Sequence, residues 1–119
     1  MGEVMLVPLG PADGRDRWQV QRDGRTFAVF VLDGELIVTD GLCPHRRGPL
    51  AEGQVRRGAV VCPWHWYTYD LRTGACRTSD EYTLARYPVV LRDGEPFAEV
   101  PVVKPRSWSQ LLREHARGG

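Results

Sequence analysis

Two short segments, Cys43-Pro44-His45 and Cys62-Pro63-Trp64-His65, offer two cysteines and two histidines as potential metal ligands. The first is a Cys-x-His pair, the second is a Cys-x-x-His pair, and residues 46–61 separate them. Thiolate and neutral imidazole groups bind zinc, copper and iron–sulfur clusters. Each pair is short enough to present both of its donors from one loop. The sequence therefore predicts a metal site formed by two loops.

The order of these ligands along the chain distinguishes between metals. Zinc fingers of the two-Cys, two-His type usually have both cysteines before both histidines, whereas here cysteine and histidine alternate. In a Rieske [2Fe–2S] centre, two cysteines bind one iron and two histidines bind the other. Each loop must then give one ligand to each iron, and the alternating order allows this.

Further residues around the two pairs extend the pattern. Leu50 and Gly53 follow the first pair, and an aromatic segment, Asp70 and Thr73-Gly74 follow the second. Over roughly residues 27–87, the chain resembles the Rieske ferredoxin family. The resemblance implies one Rieske [2Fe–2S] cluster per chain, held by Cys43, His45, Cys62 and His65. A structural zinc site and a domain that has lost its metal are the alternatives.

The resemblance also implies roles for residues beside the ligands. High-potential members of the family have a disulfide at the positions of Gly48 and Trp64, so this chain cannot form it. They also have Ser and Tyr at the positions of Tyr67 and Tyr69. Tyr69 can donate its hydroxyl to a cysteine thiolate, whereas Tyr67 is too large to act as Ser does. We therefore expect a reduction potential in the lower part of the Rieske range.

Two departures from the family pattern affect how the cluster is covered. Trp66 stands where the family usually has glycine, so the second loop has either a different backbone or an indole that shields the cluster. Residues 77–85, where the family often packs a proline over the cluster, contain no proline. Neither departure changes a ligand.

Composition and charge limit the class of protein. The 119 residues have room for one hydrophobic core, and we expect residues 1–119 to form a single Rieske domain. Hydrophobic residues make up 42% of the chain, which is enough for a packed domain. The formal net charge is +1, so no broad basic surface for nucleic acid is expected.

The sequence gives no sign of a membrane or an oxidising compartment. No stretch approaches the ~18 apolar residues of a membrane span, and the N-terminus lacks the pattern of a signal peptide. If Cys43 and Cys62 bind iron, the third cysteine, Cys76, has no partner for an internal disulfide. We expect Cys76 to be a small buried core residue. These features predict a cytoplasmic protein that does not bind membranes.

Turn and strand signals predict an all-β fold. Asp-Gly pairs favour the positive φ angles of hairpin turns, and they occur at residues 13–14, 23–24, 33–34, 40–41 and 93–94. Apolar or alternating runs predict strands at residues 18–22, 26–32, 35–39, 59–61, 66–70, 87–91 and 97–100. We predict a Rieske-like antiparallel β-sandwich or small barrel with the two metal-binding loops side by side.

One short helix is predicted, at about residues 107–117. Ser107 and Gln110 have the spacing of a capping box at its start. One face of this helix would pack on the domain itself or dock a partner, and that face carries Trp108, Leu111, Leu112 and His115.

A [2Fe–2S] cluster moves one electron, so the predicted function is electron transfer and not catalysis by the chain alone. The resemblance implies a soluble ferredoxin that passes electrons from a flavin-dependent NAD(P)H reductase to a terminal oxygenase. The alternative is the small Rieske subunit of an assimilatory NAD(P)H nitrite reductase. A complete oxygenase is excluded, because its two-His, one-carboxylate iron site needs histidines and only His115 remains unassigned.

Overall fold

The chain folds into short antiparallel strands that tight turns connect. The computed structural model describes residues 3–64 and 66–102. Within these ranges there are ten strands and one 3₁₀ turn, Leu50–Glu52. The strands are β1 (Val4–Pro8), β2 (Arg17–Arg22), β3 (Arg25–Leu32), β4 (Glu35–Asp40), β5 (Gln54–Arg56), β6 (Ala59–Val61), β7 (Thr68–Asp70), β8 (Arg86–Tyr87), β9 (Val89–Arg92) and β10 (Glu95–Pro101).

The strands form three antiparallel sheets. The first sheet has the order β1-β10-β9, the second has the order β2-β3-β4-β8, and the third has the order β5-β6-β7. Every strand pair within them is antiparallel. The predicted antiparallel all-β fold is confirmed.

Four of the five Asp-Gly pairs form the turns that the sequence predicts. In each, the aspartate has a φ of +50° to +53° and the glycine a φ of +76° to +80°. The pairs at 23–24, 33–34 and 93–94 join β2 to β3, β3 to β4 and β9 to β10. These angles place both residues in the left-handed region that a type I′ hairpin needs.

The fifth pair, Asp40-Gly41, does not form a turn, so this part of the prediction is wrong. Asp40 is the last residue of β4, and the Gly41 N–H donates to the carbonyl of Thr26 at 2.8 Å. A Cβ atom at Gly41 would lie 2.6 Å from Cγ2 of Thr26 and 2.9 Å from the backbone nitrogen of Phe27. Glycine is needed here because the chain passes close to β3. Immediately afterwards the chain enters the loop that carries Cys43 and His45, which is called the first ligand loop below.

Strand β3 is buried on both faces and separates two hydrophobic cores. Phe27 and Val29 belong to the core between the first and second sheets, whereas Ala28 and Phe30 belong to the core between the second and third sheets. Side chains alternate across a strand, so one strand can serve both cores. The core between the second and third sheets, called the second core below, also contains the residues around the predicted metal site. These are Cys43, Leu50, Val60, Cys62, Tyr69, Leu71 and Leu84.

The predicted strand 87–91 is divided at Pro88. Tyr87 pairs with Val38 of β4, whereas Val89 pairs with Ala98 of β10. Proline has no N–H to donate to a ladder, so it suits a point where the chain changes sheets. The predicted strand 66–70 begins only at β7, because its first two residues belong to the second ligand loop.

Strands β1 and β5 were not predicted. The turn from β5 to β6 uses Arg57 and Gly58, with φ of +51° and +73°, in place of an Asp-Gly pair. Strand β1 pairs with β10, which is distant in sequence. The predicted helix at about 107–117 lies outside the described residues. No helix among the described residues is long and apolar enough to cross a membrane.

Candidate metal centre

The first ligand loop follows β4 and is closed by two backbone hydrogen bonds around Cys43. The Cys43 N–H donates to the carbonyl of Gly48 at 2.8 Å, and the Arg47 N–H donates to the carbonyl of Cys43 at 2.6 Å. Arg47 has a φ of +62°. The loop therefore returns on itself within a few residues, with His45 at its tip.

The second ligand loop, between β6 and β7, repeats this backbone pattern. The Cys62 N–H donates to the carbonyl of Tyr67 at 2.7 Å, and the Trp66 N–H donates to the carbonyl of Cys62 at 3.1 Å. Trp66 has a φ of +63°, so it keeps the left-handed backbone that glycine would favour. Its side chain is 76% exposed. The expectation that Trp66 brings a different backbone or a shielding indole therefore stays a prediction.

Burial distinguishes the cysteines from the histidine of the first loop. Cys43 and Cys62 are fully buried, whereas His45 is half-buried. His65 lies outside the described residues, so its assignment as a ligand stays a prediction from spacing. Cys76 is half-buried, with its Sγ 3.4 Å from Oγ1 of Thr78. The expectation of a buried Cys76 is therefore only partly correct.

Tyr69 contacts Cys43 inside the second core. Its hydroxyl oxygen lies 3.1 Å from Sγ of Cys43, and the residue is fully buried. Burial raises the pKa of Tyr69 far above its usual value, and the contact with Cys43 raises it further. The hydroxyl therefore keeps its proton and can donate a hydrogen bond to a thiolate at Cys43.

Gly48 and Trp64 lie against each other, beside Cys62. A Cβ atom at Gly48 would lie 2.7 Å from Sγ of Cys62 and 3.2 Å from the indole of Trp64. Residues 48 and 64 are therefore adjacent in space, as expected for positions that carry a disulfide in other proteins. Here the indole occupies that space, and Trp64 is still 56% exposed.

Comparison with known proteins identifies the fold and the type of site. Residues 6–88 match the family model of the Rieske [2Fe-2S] domain. The chain belongs to this family. The ferredoxin component of the p-cumate 2,3-dioxygenase system of Pseudomonas putida is 35% identical over 79 residues, which cover 65% of this chain and 67% of that protein.

Two solved structures have the same fold. A ferredoxin of Sphingomonas yanoikuyae B1 is 29% identical, with a TM-score of 0.66 over 85% of this chain and all of that one. A protein of Mycobacterium tuberculosis that is described as an NADH-dependent nitrite reductase small subunit, at 20% identity, has a TM-score of 0.63 over 88% of this chain and 99% of that one, which shows the fold. The cofactor of the Rieske family is a [2Fe–2S] cluster, so the alternatives of a zinc site and a metal-free domain are set aside.

The residues of this Rieske domain fit such a cluster. Cys43 and Cys62 are removed from solvent in one core, and a phenol donor at Tyr69 faces one of the two sulfurs. Thiolates bound to iron accept hydrogen bonds of this kind, which tune the reduction potential. When bound, the cluster would accept and release one electron. The chain's own residues hold it and control its surroundings.

One residue of this site was missed in the sequence. Tyr82 lies in the connection between Cys76 and β8, and its ring centroid is 5.3 Å from that of His45. The signal that could have found it is a large aromatic residue in an otherwise polar stretch, within the segment expected to cover the cluster. Tyr67 also contacts His45, with a centroid distance of 4.1 Å.

Proposed function

We propose that this chain is a one-electron carrier whose cluster is held by Cys43 and Cys62 on one iron and by His45 and His65 on the other. The observation that carries this proposal is the pair of matching loops, which place both cysteines in one buried core. The fourth ligand, His65, is assigned from the Cys-x-x-His spacing of the second pair. A carrier needs a bound cluster and an exit for the electron, and it needs no substrate site.

The direction of electron exit follows from burial. Both cysteines are fully buried, whereas His45, two residues along the first loop, is half-buried. The histidine-bound iron would therefore lie nearer the surface than the cysteine-bound iron. We infer that electrons enter and leave through the histidine end of the site.

The relatives suggest which proteins exchange electrons with this one. The p-cumate 2,3-dioxygenase relative is named as the ferredoxin component of an oxygenase system. We infer that this chain takes electrons from a flavin-dependent NAD(P)H reductase and passes them to a terminal oxygenase in the cytoplasm. We also propose that residues 1–119 form one Rieske domain. In this role the chain transfers electrons and catalyses no reaction by itself.

A nitrite reductase subunit is the second candidate. The chain is 26% identical over 95 residues to a nitrite reductase [NAD(P)H] of Emericella nidulans, of which it covers 9%. In that role the domain would be permanently bound to a larger enzyme, whereas a ferredoxin would dissociate after each electron.

Stopped-flow kinetics with purified proteins tests the proposal. The reduced protein is mixed with the terminal oxygenase of a Rieske dioxygenase system or with a sirohaem nitrite reductase, and the absorbance of the Rieske cluster is followed. The ferredoxin proposal expects oxidation that depends on oxygenase concentration. Oxidation only by nitrite reductase, in a complex that survives gel filtration, would favour the subunit. His45→Ala, which should lack the cluster, is the control.

A further inference from the structure

The rings of two tyrosines from separate segments contact the imidazole of His45. The centroids of His45 and Tyr67 are 4.1 Å apart with planes inclined by 40°, and those of His45 and Tyr82 are 5.3 Å apart with planes inclined by 69°. Tyr67 and Tyr82 are themselves 5.6 Å apart at 84°. Tilted and edge-to-face pairs within about 7 Å attract each other, so the three rings form one cluster.

The two tyrosines contact His45 through their rings. Both are half-buried and pack against the core that contains Cys43 and Cys62. Among residues 3–64 and 66–102, neither hydroxyl has a hydrogen-bond partner. Removing a hydroxyl should therefore change little, whereas removing a ring should open one side of His45.

We propose that Tyr82, together with Tyr67, is a positioning residue for the His45 imidazole. The inference rests on the proposed function, in which His45 is an iron ligand. Edge-to-face contact from Tyr82 and tilted contact from Tyr67 restrict rotation of the imidazole about its side-chain bonds. They also exclude water from that face of the ring. Tyr82 belongs to neither ligand loop, so it can be changed without altering a ligand or its loop.

Exclusion of water predicts the direction in which Tyr82 changes the reduction potential of the cluster. A site with two thiolate ligands gains negative charge when it is reduced, and a less polar environment disfavours the more highly charged state. Tyr82 should therefore lower the reduction potential. Opening this side to water should make the protein easier to reduce.

The test compares Tyr82→Ala, Tyr82→Leu and Tyr82→Phe with the wild-type holoprotein. Protein-film voltammetry gives the potential, and pulsed EPR of the reduced, ¹⁵N-histidine-labelled protein gives the histidine nitrogen couplings. Tyr82→Ala should shift the equilibrium with a reference couple about threefold toward the reduced protein, which is about 30 mV at ~59 mV per tenfold change. Its nitrogen couplings should broaden as the imidazole gains freedom. Tyr82→Phe should match the wild type in both measurements.

Tyr82→Leu keeps most of the apolar volume at this position. It therefore distinguishes the loss of the ring contact from a general unfolding of the Ala variant. It should also broaden the nitrogen couplings, because it removes the ring contact. Wild-type couplings and potential in both Tyr82→Ala and Tyr82→Leu, or a Tyr82→Phe variant that behaves as Tyr82→Ala does, would overturn the inference. A wild-type protein whose cluster shows no histidine coupling would instead overturn the proposed function.

Discussion

The hydroxyl of Tyr69 lies 3.1 Å from Sγ of Cys43, and both residues are fully buried. The sequence predicted a tyrosine donor to one of the two cysteine ligands, and the structure assigns it to Cys43. A hydrogen bond donated to an iron-bound thiolate stabilises the more negative, reduced state of the cluster. With the proposed cluster bound, the contact should therefore raise the reduction potential relative to a site that lacks it.

Removing this hydroxyl should lower the potential. We expect the midpoint potential of Tyr69→Phe to fall by tens of millivolts, where ~59 mV corresponds to a tenfold change in the equilibrium constant of a one-electron couple. Voltammetry on both proteins measures the shift. Tyr87→Phe is the matched control, because Tyr87 donates its hydroxyl to Asp40 at 2.6 Å and not to a cysteine. An unchanged potential in Tyr69→Phe would limit Tyr69 to a packing role.

A methyl group at Gly48 should disturb the site directly. Its Cβ would lie 2.7 Å from Sγ of Cys62, so Gly48→Ala must displace that sulfur or the loop that carries it. We expect a lower iron and sulfide content per chain and faster loss of the cluster on warming. Gly34→Ala is the control, because a Cβ at Gly34 meets nothing within 4 Å although its φ is +79°. Equal iron content in the two variants would contradict the close approach of Gly48 and Cys62.

Asp70 should make stability depend on pH. The side chain of Arg77 donates to its Oδ2 at 2.8 Å, and the backbone N–H groups of Arg72 and Thr73 donate to its Oδ1 at 2.8 and 3.1 Å. The hydrogen bond from Arg77, followed by that from Arg72, lowers the pKa of Asp70 below its usual value. The stabilisation is therefore complete above the pKa of an unfolded aspartate and is lost as the pH falls through the folded value.

Asp70→Asn keeps an acceptor for the backbone and loses the ion pair. Because Asp70 is partly exposed, we expect the free energy of unfolding near neutral pH to fall by at most about 1 kcal/mol. This corresponds to a decrease in Tm of up to about 5 °C. The difference from the wild type should stay nearly constant down to about pH 4 and shrink as the pH falls below it, as measured by circular dichroism during heating. Asp23→Asn, at an exposed hairpin turn, is the control. A difference in Tm that does not change with pH would show that the charge of Asp70 is not responsible.

Trp66 combines two unfavourable features, which together suggest a functional role. Its φ of +63° costs roughly 1 kcal/mol for a residue other than glycine, and its side chain is 76% exposed beside a proposed ligand. Tryptophan is enriched among the few residues that contribute most of the binding energy of an interface. We expect Trp66→Gly to be as stable as the wild type or more stable by up to about 1 kcal/mol. It should also transfer electrons to its partner more slowly.

Trp64→Ala is the comparison for this variant. Trp64 is exposed too, and positive φ values were found at Trp66 but not at Trp64. Thermal unfolding and second-order electron-transfer rates of both variants separate the two effects. Unchanged rates in Trp66→Gly would exclude a role for this indole in docking.

Local signals in the sequence were sufficient for four of the predicted turns and for the positions of the two loops that carry the proposed ligands. Asp23-Gly24 and Asp33-Gly34 encode their hairpins in adjacent residues, because few residues accept positive φ angles. The ligand pairs, likewise, depend only on spacing within one loop. These features needed no knowledge of the tertiary structure.

The features that sequence reasoning missed depend on contacts between distant segments. Tyr82 meets His45 only because the connection after Cys76 folds back over the first loop. Gly41 follows an aspartate and so resembled a turn residue, whereas its role is close approach to Thr26. Strand β1 is defined by pairing with β10, at the other end of the described chain.

The central claim is that Cys43, His45, Cys62 and His65 hold the cluster, and iron and sulfide content tests it most directly. Each of the four is replaced by Ala in a separate variant, with Cys76→Ser as the control, and iron and acid-labile sulfide are determined per purified chain. We expect the control to match the wild type and each ligand variant to lose the [2Fe–2S] chromophore, because cluster binding helps to fold both loops. A stable His65→Ala or His45→Ala protein with full iron and sulfide, or loss of iron in Cys76→Ser, would contradict the assignment.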